Sequence, residues 1–258
     1  MTSTVRIDVM HCSMQFSDNT KQKQSDAERL LDRAKKRNVL WLTGTEAGAG
    51  QSLDLRRALR EESNAHGFHF WQHPSSDSWL TINRKFIRGL GLEVWFSDIL
   101  VPARARRNTA KRLIGVGFDT NIGIGHVGVS ACHYMTKGRP DAHSPEYREF
   151  LDDNQAIAAE IGRRARIEGA GSDLFFYAGD QNIVDKFNDT FLGRAKMTST
   201  WDELKKYENT GHGNIDVIAS YDHDGRVEAK YVRALDDKEF HLHTDHFLVE
   251  TGFNIRTI

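Results

Sequence analysis

The spacing of apolar residues along this chain changes between two periods, and each period predicts one type of element. Near the N-terminus, Val5, Ile7 and Val9 recur at every second position, which is typical of a half-buried strand. Short continuous apolar runs, such as "DLFFYAG" (173–179), are typical of strands buried on both faces. Together these patterns predict strands at 5–14, 38–44, 67–71, 79–83, 92–96, 113–118, 124–135, 173–178, 214–219, 227–233 and 246–250.

Three segments instead have apolar residues at helical spacing, which predicts helices at 21–37, 51–65 and 145–167. In the third segment, Ser144 fits the N-cap and Pro145 fits the first helical position. The buried stripe of this helix is predicted to be Tyr147, Phe150, Leu151, Ile157, Ala158, Ile161 and Ala165. Many strands interrupted by few helices predict an α/β (α+β) fold, a two-layer β-sandwich flanked by helices.

The composition also predicts a single domain that spans residues 1–258. The chain has 258 residues, of which 39% are hydrophobic and 28% charged, and we find no repeat or Pro-rich linker. No apolar run approaches the roughly 20 residues of a membrane helix, and no signal peptide is apparent, so we expect no membrane contact and a cytoplasmic location. Cys12 and Cys132 are then expected to be buried free thiols.

The net charge of −1 does not indicate a nucleic-acid-binding protein, but the basic residues are unevenly distributed. The run "RARRNTAKR" (104–112) has five basic residues and no acid, and "NRKFIR" (83–88) adds three more. Such runs are either solvated loops or patches that follow a phosphate backbone. The candidate nucleic-acid-binding residues are Arg104, Arg106, Arg107, Lys111 and Arg112.

Three short motifs fit known binding patterns only in part. "GIGHVG" (123–128) has the glycine spacing of a dinucleotide site, but a strand pattern follows it where a helix is needed. "TEAGAGQS" (45–52) has Gln51 where a phosphate loop needs lysine. We therefore expect no nucleotide cofactor. "HLHTDH" (241–246) fits a zinc-binding run, but the twelve residues after it contain none of the further His, Asp or Cys ligands.

Acids and histidines follow or begin several predicted strands. A lone aspartate there usually caps a turn, and a lone histidine is usually a hydrogen-bonded structural residue. As a set, however, these groups match one reaction, the hydrolysis of a phosphodiester. That reaction needs carboxylates for a hard cation, a base for water and donors for the transition state. The set consists of Glu46, His133, Asp180, Asn182, Asp216, Asp245 and His246.

The order of these residues resembles the endonuclease/exonuclease/phosphatase superfamily, which has the DNase I-like fold. The boxes that carry the resemblance are "LTGTEAG", "SACHYM", "AGDQN", "NIDVIAS" and "HTDHFLV", and they span essentially the whole chain. Each box is short, but several boxes in the right order are much more specific than any one.

The resemblance implies a divalent cation, Mg²⁺ or Mn²⁺, bound by Glu46 with Asp245 at the metal or beside it. The superfamily usually ends its first strand in an asparagine that supports this site. Here "VMHCSMQF" offers Ser13 or His11 at that place, and we favour Ser13. Because serine is a weaker metal partner than asparagine, this departure predicts reduced metal affinity or a water that fills the gap.

The resemblance also implies roles in the reaction. Asp180 would orient the attacking water, and Asn182 would hold Asp180 or a phosphate oxygen. Asp216 and His246 would form a dyad whose imidazole faces the phosphate. His133 would be the second imidazole there.

His133 also bears on the substrate, because branches of the superfamily with histidine there resemble the DNase I, sphingomyelinase, deadenylase and inositol-phosphatase groups. The basic runs favour a polyanion, and Trp71, Trp79 and Trp95 are either base-stacking or core residues. We therefore expect an intracellular metal-dependent nuclease acting on DNA ahead of RNA. Two alternatives stay open. One is a phosphatase or phosphodiesterase for a small or lipid-linked phosphate, and the other is a catalytically silent nucleic-acid-binding domain.

Overall fold

Two mixed β-sheets pack face to face in the computed structural model, which describes residues 3–14, 20–47, 53–99, 111–134, 145–170, 173–181, 197–211, 215–236 and 238–258. The described helices are α1 (Thr20–Arg37), α2 (Leu53–Ala65), α3 (Pro145–Glu168) and the short α4 (Thr200–Glu203). The described strands are β1 (Thr4–Ser13), β2 (Trp41–Thr45), β3 (Phe68–Gln72), β4 (Trp79–Asn83), β5 (Ile87–Ile99), β6 (Lys111–Thr120), β7 (His126–Ala131), β8 (Leu174–Asp180), β9 (Thr198–Ser199), β10 (Asp216–Asp222), β11 (Val227–Leu235) and β12 (Leu248–Arg256).

The first sheet has the strand order β11-β12-β1-β2-β4-β3, and the second has β5-β6-β7-β8-β10-β9. Aromatic side chains from both sheets meet between them, with Trp41 and Phe253 of the first sheet on either side of Phe176 of the second. Helices α1 and α2 cover the first sheet through a separate apolar cluster, and α3 packs against β5 to β8. The predicted two-layer sandwich flanked by helices is confirmed.

Strand direction gathers the ends of six strands at one end of the sandwich. β1 and β2 are parallel to each other, as are β7 and β8, so each pair ends together. β10 is antiparallel to β8, and Asp216 at its start pairs with Asp180 at the end of β8. β12 is antiparallel to β1, so its first residues lie beside the last residues of β1. Polar residues that are far apart in sequence are therefore neighbours at this end.

The predicted strands and long helices are present, with shifted boundaries. β5 is much longer than the predicted 92–96, and the sequence patterns did not predict β9 or α4. Ile157, Ala158, Ile161 and Ala165 of α3 are buried as expected. Ser144 and the side chains of Tyr147 and Phe150 lie outside the described part of the chain.

The remaining packing expectations agree with the structure in part, because Leu151 of the predicted stripe is only partly buried. Cys12 and Cys132 are buried free thiols. Trp79 is fully buried and Trp95 nearly so, which makes both of them core residues, whereas Trp71 is only partly buried. None of the described helices is both long enough and apolar enough to cross a membrane.

Candidate active site

Three strand ends bring Glu46, His133 and Asp180 together. Glu46 follows β2, His133 follows β7, and Asp180 ends β8. His133 Nε2 lies 3.7 Å from Oε1 of Glu46 and 3.6 Å from Oδ2 of Asp180. The exposed fraction of the three side chains is 10% or less, so the group forms a partly enclosed site rather than a surface cluster.

The backbone and two hydroxyls hold Glu46 in place. Glu46 has a φ of 61°, a left-handed conformation that costs a non-glycine residue free energy and occurs more often at functional sites. The hydroxyl of Ser13 donates to Oε2 of Glu46 at 2.9 Å and accepts from the hydroxyl of Thr45 at 2.8 Å. Ser13 therefore lies beside Glu46, and its hydroxyl positions the carboxylate of Glu46.

Asp216 and His246 form a buried pair. His246 Nδ1 is 2.8 Å from Oδ2 of Asp216, which makes Nδ1 the protonated nitrogen because a carboxylate can only accept. Burial alone would lower the pKa of His246, but the charge of Asp216 and this hydrogen bond raise the pKa to about 10. Burial alone would raise the pKa of Asp216, but the His246 and His11 imidazoles hold it well below its usual range. The pair therefore carries an imidazolium at neutral pH.

His133 belongs to a second pair, which the sequence analysis missed. Its Nδ1 lies 2.7 Å from Oδ2 of Asp77. Asp77 lies in the connection between β3 and β4, and its carbonyl accepts from the backbone N–H of Ala47 at 3.0 Å. Asp77 stands two residues before β4 in a polar turn, where the sequence does not distinguish it from an aspartate that caps the turn.

A close backbone approach explains the glycine of the "GD" box. A side chain at Gly179 would place its Cβ 2.1 Å from the carbonyl oxygen of Cys132, so only glycine fits. The backbone N–H of Tyr134 then donates to the carbonyl of Asp180 at 2.9 Å. These contacts extend the pairing of β7 and β8 by the few residues that place His133 beside Asp180.

Thr210 is a further residue that the sequence analysis missed. Its hydroxyl accepts from the backbone N–H groups of Ile215 and Asp216, each at 3.3 Å. Its carbonyl accepts from the N–H of Phe247 at 2.9 Å. Thr210 thus ties the start of β10 to the segment that carries His246. Short polar contacts of this kind leave no pattern in the sequence.

The donor set fits a divalent cation. Nε2 of His246 has three carboxylate oxygens near it, from Glu46 at 4.0 Å, Asp180 at 3.9 Å and Asp245 at 3.9 Å. Glu46, His133 and Asp180 offer ligand atoms within 4.8 Å of one another. Because several carboxylates this close repel one another, a hard cation that prefers oxygen ligands would stabilise the arrangement.

Most of the predicted site residues therefore meet at one place, namely Ser13, Glu46, His133, Asp180, Asp216, Asp245 and His246. Asn182, Arg104, Arg106 and Arg107 lie outside the described residues, and for Lys111 only the backbone is described. Arg112 lies at the start of β6, contacts His73 and Asp98, and donates to the hydroxyl of Ser75 at 2.6 Å. Its role in nucleic-acid binding stays a prediction.

Comparison with known proteins identifies the fold. No protein-family model matches the sequence, and the comparison with curated protein sequences found no match. D. rerio TDP2, solved with a single-strand DNA product, is 11% identical, with 96% of this chain and 98% of TDP2 covered and a TM-score of 0.66. ANGEL2, a 2′,3′-cyclic phosphatase solved with adenosine-2′,3′-vanadate, is 10% identical, with 99% of each chain covered and a TM-score of 0.68.

A mannosyl-6-phosphatase of Bacteroides thetaiotaomicron is 11% identical, with 96% of this chain and 99% of that protein covered and a TM-score of 0.67. These neighbours differ in what they act on, and identities this low establish the fold alone. The resemblance expected from the sequence boxes is confirmed at that level: the chain has the endonuclease/exonuclease/phosphatase, or DNase I-like, fold.

Proposed function

We propose that this protein is a divalent-metal-dependent phosphodiester hydrolase. One observation carries the proposal: two imidazoles, each held by its own carboxylate, face the same pair of acids. His133 is held by Asp77 and His246 by Asp216, while Nε2 of each histidine lies within 4.0 Å of Glu46 and Asp180. Cation ligands, a base for water and donors for phosphate oxygens are thus within reach of one reacting phosphorus atom.

Each side chain has a defined task in this proposal. A Mg²⁺ or Mn²⁺ ion held by Glu46, with Asp180 and Asp245 in reach, would supply positive charge to the scissile phosphate. Asp180 orients the attacking water and takes its proton as the new bond to phosphorus forms. His246, protonated by its pairing with Asp216, donates to a non-bridging oxygen. His133 donates a proton to the leaving oxygen as the ester bond breaks.

We further propose that the substrate is DNA, ahead of RNA. The basic segment 104–112 ends at Arg112, whose guanidinium binds Ser75 and His73. Those residues belong to the same connection as Asp77, the partner of His133. The described end of the segment therefore contacts the connection that carries the partner of His133, and a polyanion bound along the segment would lead toward that connection. The single-strand DNA product bound to D. rerio TDP2 agrees with such a substrate for this fold.

Plasmid nicking tests the proposal directly. Supercoiled DNA would be incubated with the protein in Mg²⁺, in Mn²⁺ and in chelator, beside Asp180→Asn and His246→Ala. We expect nicking that needs metal and that both variants lose. His241→Ala is the matched control because His241 belongs to the same "HLHTDH" run but is exposed, so this variant should still nick.

Two outcomes would count against parts of the proposal. Wild-type protein that leaves plasmid intact but hydrolyses bis-p-nitrophenyl phosphate would replace DNA by a smaller phosphate ester as substrate. Because ANGEL2 is a cyclic phosphatase and another neighbour is a mannosyl-6-phosphatase, such esters are the second candidate. Failure to hydrolyse either substrate with either metal would refute the phosphodiester hydrolase and leave a phosphatase or a silent binding domain.

The basic segment has its own test. Reversing the charge of Arg104, Arg106 and Arg107 to glutamate should reduce plasmid cleavage by about tenfold or more at low salt, because phosphate contacts dominate such binding. Hydrolysis of the small diester should stay unchanged. The control carries the same three-charge reversal on exposed residues of α1, at Lys21, Lys35 and Lys36. Equal loss on both substrates would remove the segment from DNA binding.

A further inference from the structure

The carboxylate of Asp216 lies between two imidazoles. Its Oδ2 faces Nδ1 of His246 at 2.8 Å, and its Oδ1 faces Nε2 of His11 at 3.3 Å. The second separation is an ion-pair distance rather than an ideally aligned hydrogen bond. Asp216 and His11 are both completely buried, and His246 is almost so. A buried carboxylate needs a polar partner at each oxygen, and His11 is placed to serve the one that His246 does not.

Strand pairing determines where the His11 ring lies. His11 is on β1, opposite Thr43 of β2, and its Nδ1 is 2.9 Å from the hydroxyl of Thr43. Because a carboxylate has no hydrogen to give, the His11 nitrogen that faces Asp216 carries the proton. The Thr43 hydroxyl that contacts Nδ1 also lies 3.5 Å from the carbonyl oxygen of Met10. This sequence of contacts runs from Thr43 through His11 and Asp216 to His246.

The contact between His11 and Asp216 also affects where Nε2 of His246 points. If Oδ1 had no partner, the carboxylate of Asp216 could rotate, and Oδ2 would no longer hold the Nδ1–H of His246 in one position. We propose that His11 is a positioning residue, which fixes the carboxylate of Asp216 and so keeps Nε2 of His246 directed at the Glu46–Asp180 end of the site. This role rests on the proposed hydrolase, in which His246 acts at the phosphate.

Two substitutions separate this role from simple packing. His11→Leu fills a similar volume without a donor, whereas the side-chain amide of His11→Gln can still donate to Oδ1 of Asp216. For His11→Leu we expect kcat on bis-p-nitrophenyl phosphate to fall about 10–100-fold with KM within about twofold, as for the loss of an orienting contact. His11→Gln should recover most of kcat. Equal loss in both variants would show that His11 only packs, and would overturn the proposal.

A second readout does not depend on activity. In chelator, ¹⁵N spectra of histidine-labelled protein report whether the Nδ1–H of His246 is held in one position. We expect one sharp Nδ1–H signal in wild type and in His11→Gln, and a broadened or shifted signal in His11→Leu. Spectra that are identical in all three would overturn the proposal. A wild type that hydrolyses nothing would refute the proposed function, yet the spectra would still decide the role of His11.

Thr43→Val keeps the test decisive if His11→Leu does not fold. It removes the hydroxyl that contacts Nδ1 of His11, in a side chain of nearly the same shape. A several-fold loss of kcat and a changed His246 signal would support the proposal. Wild-type kcat and wild-type spectra in this variant would overturn it.

Discussion

Asp216 and Glu250 are both completely buried carboxylates, and their partners give them different roles. Asp216 on β10 is paired with imidazoles, at the end of the sandwich where the strands gather. Glu250 on β12 faces α1 and accepts from two guanidinium groups: Nε of Arg33 at 2.5 Å, and Nε and Nη2 of Arg233 at 3.0 and 2.6 Å.

The difference lies in whether the partner can change its charge. Guanidinium groups stay protonated at any pH that a protein survives, so the Glu250 cluster can only bind α1 to the sheet. An imidazole can give up and take back a proton, so the Asp216 pair can take part in a reaction. Burying a carboxylate costs desolvation free energy, and the chemistry of its partner indicates whether the carboxylate can act in stability or in a reaction. Four predictions test this distinction.

The largest expected effect is on the activity of Asp216→Asn. Asparagine keeps the shape of the side chain but loses the charge that protonates and orients His246. We expect hydrolysis of the small diester to fall by about 10²–10⁴-fold, the usual contribution of a positioned acid or base. Steady-state kinetics on folded protein measure this loss. A variant within about fivefold of wild type would mean that the pair is structural.

Glu250→Gln should instead reduce the stability of the protein and leave its activity nearly unchanged. The arginines lose their counter-charge but remain partly exposed, so we expect the free energy of unfolding to fall by about 1–3 kcal/mol. Denaturant titration measures this change. The value of kcat should stay within about twofold, because Glu250 faces α1 and not the site. A large loss of kcat in well-folded variant protein would contradict the separation of the two roles.

The Asp216–His246 pair should also make the stability of the protein depend on pH in the alkaline range. The pKa of His246 is raised to about 10, above its ordinary value near 6.5, so the folded protein binds the extra proton between these values. Its contribution to stability is complete below pH 6.5 and disappears as the pH rises through 10. Melting temperatures in chelator from about pH 7 to 10.5 should therefore fall more steeply in wild type than in Asp216→Asn. Parallel curves would argue against a charged pair.

The smallest effect is expected at low pH. Burial alone would raise the pKa of Glu250, but hydrogen bonds from Arg33 and Arg233 hold it below its usual range. The contribution of Glu250 is present above the ordinary pKa of about 4.3 and is lost as the pH falls through its lowered value. Between about pH 6 and 3, wild type should therefore lose more stability than Glu250→Gln. If the gap between the two proteins stays constant, Glu250 does not titrate in this range.

How much of the site could be predicted depended on where each residue lies. Glu46, Asp180 and Asp216 adjoin strands whose apolar pattern is clear, so their places at strand ends could be predicted from that pattern. Their grouping was implied by the resemblance to a known superfamily, because Glu46 follows a strand of the first sheet whereas Asp180 and Asp216 belong to the second. Asp77 lies in a connection with no periodic pattern, 56 residues before His133. Nothing in the sequence pairs these two residues.

His11 shows the same limit within a well-predicted strand. The alternation that places Val5, Ile7 and Val9 on one side of β1 continues through His11 and Ser13, so their shared face was implicit in the pattern. Their partners were not. Ser13 contacts Glu46 of its own sheet, whereas His11 contacts Asp216 of the opposite sheet.

Local spacing and residue chemistry were enough to predict the periods of the strands and helices, the two-layer class and the polar groups near the strand ends. Which imidazole meets which carboxylate depends on tertiary contacts, because a hydrogen-bonded pairing needs atoms within about 3 Å of each other. That proximity comes from the packing of one sheet on the other, which no local pattern encodes.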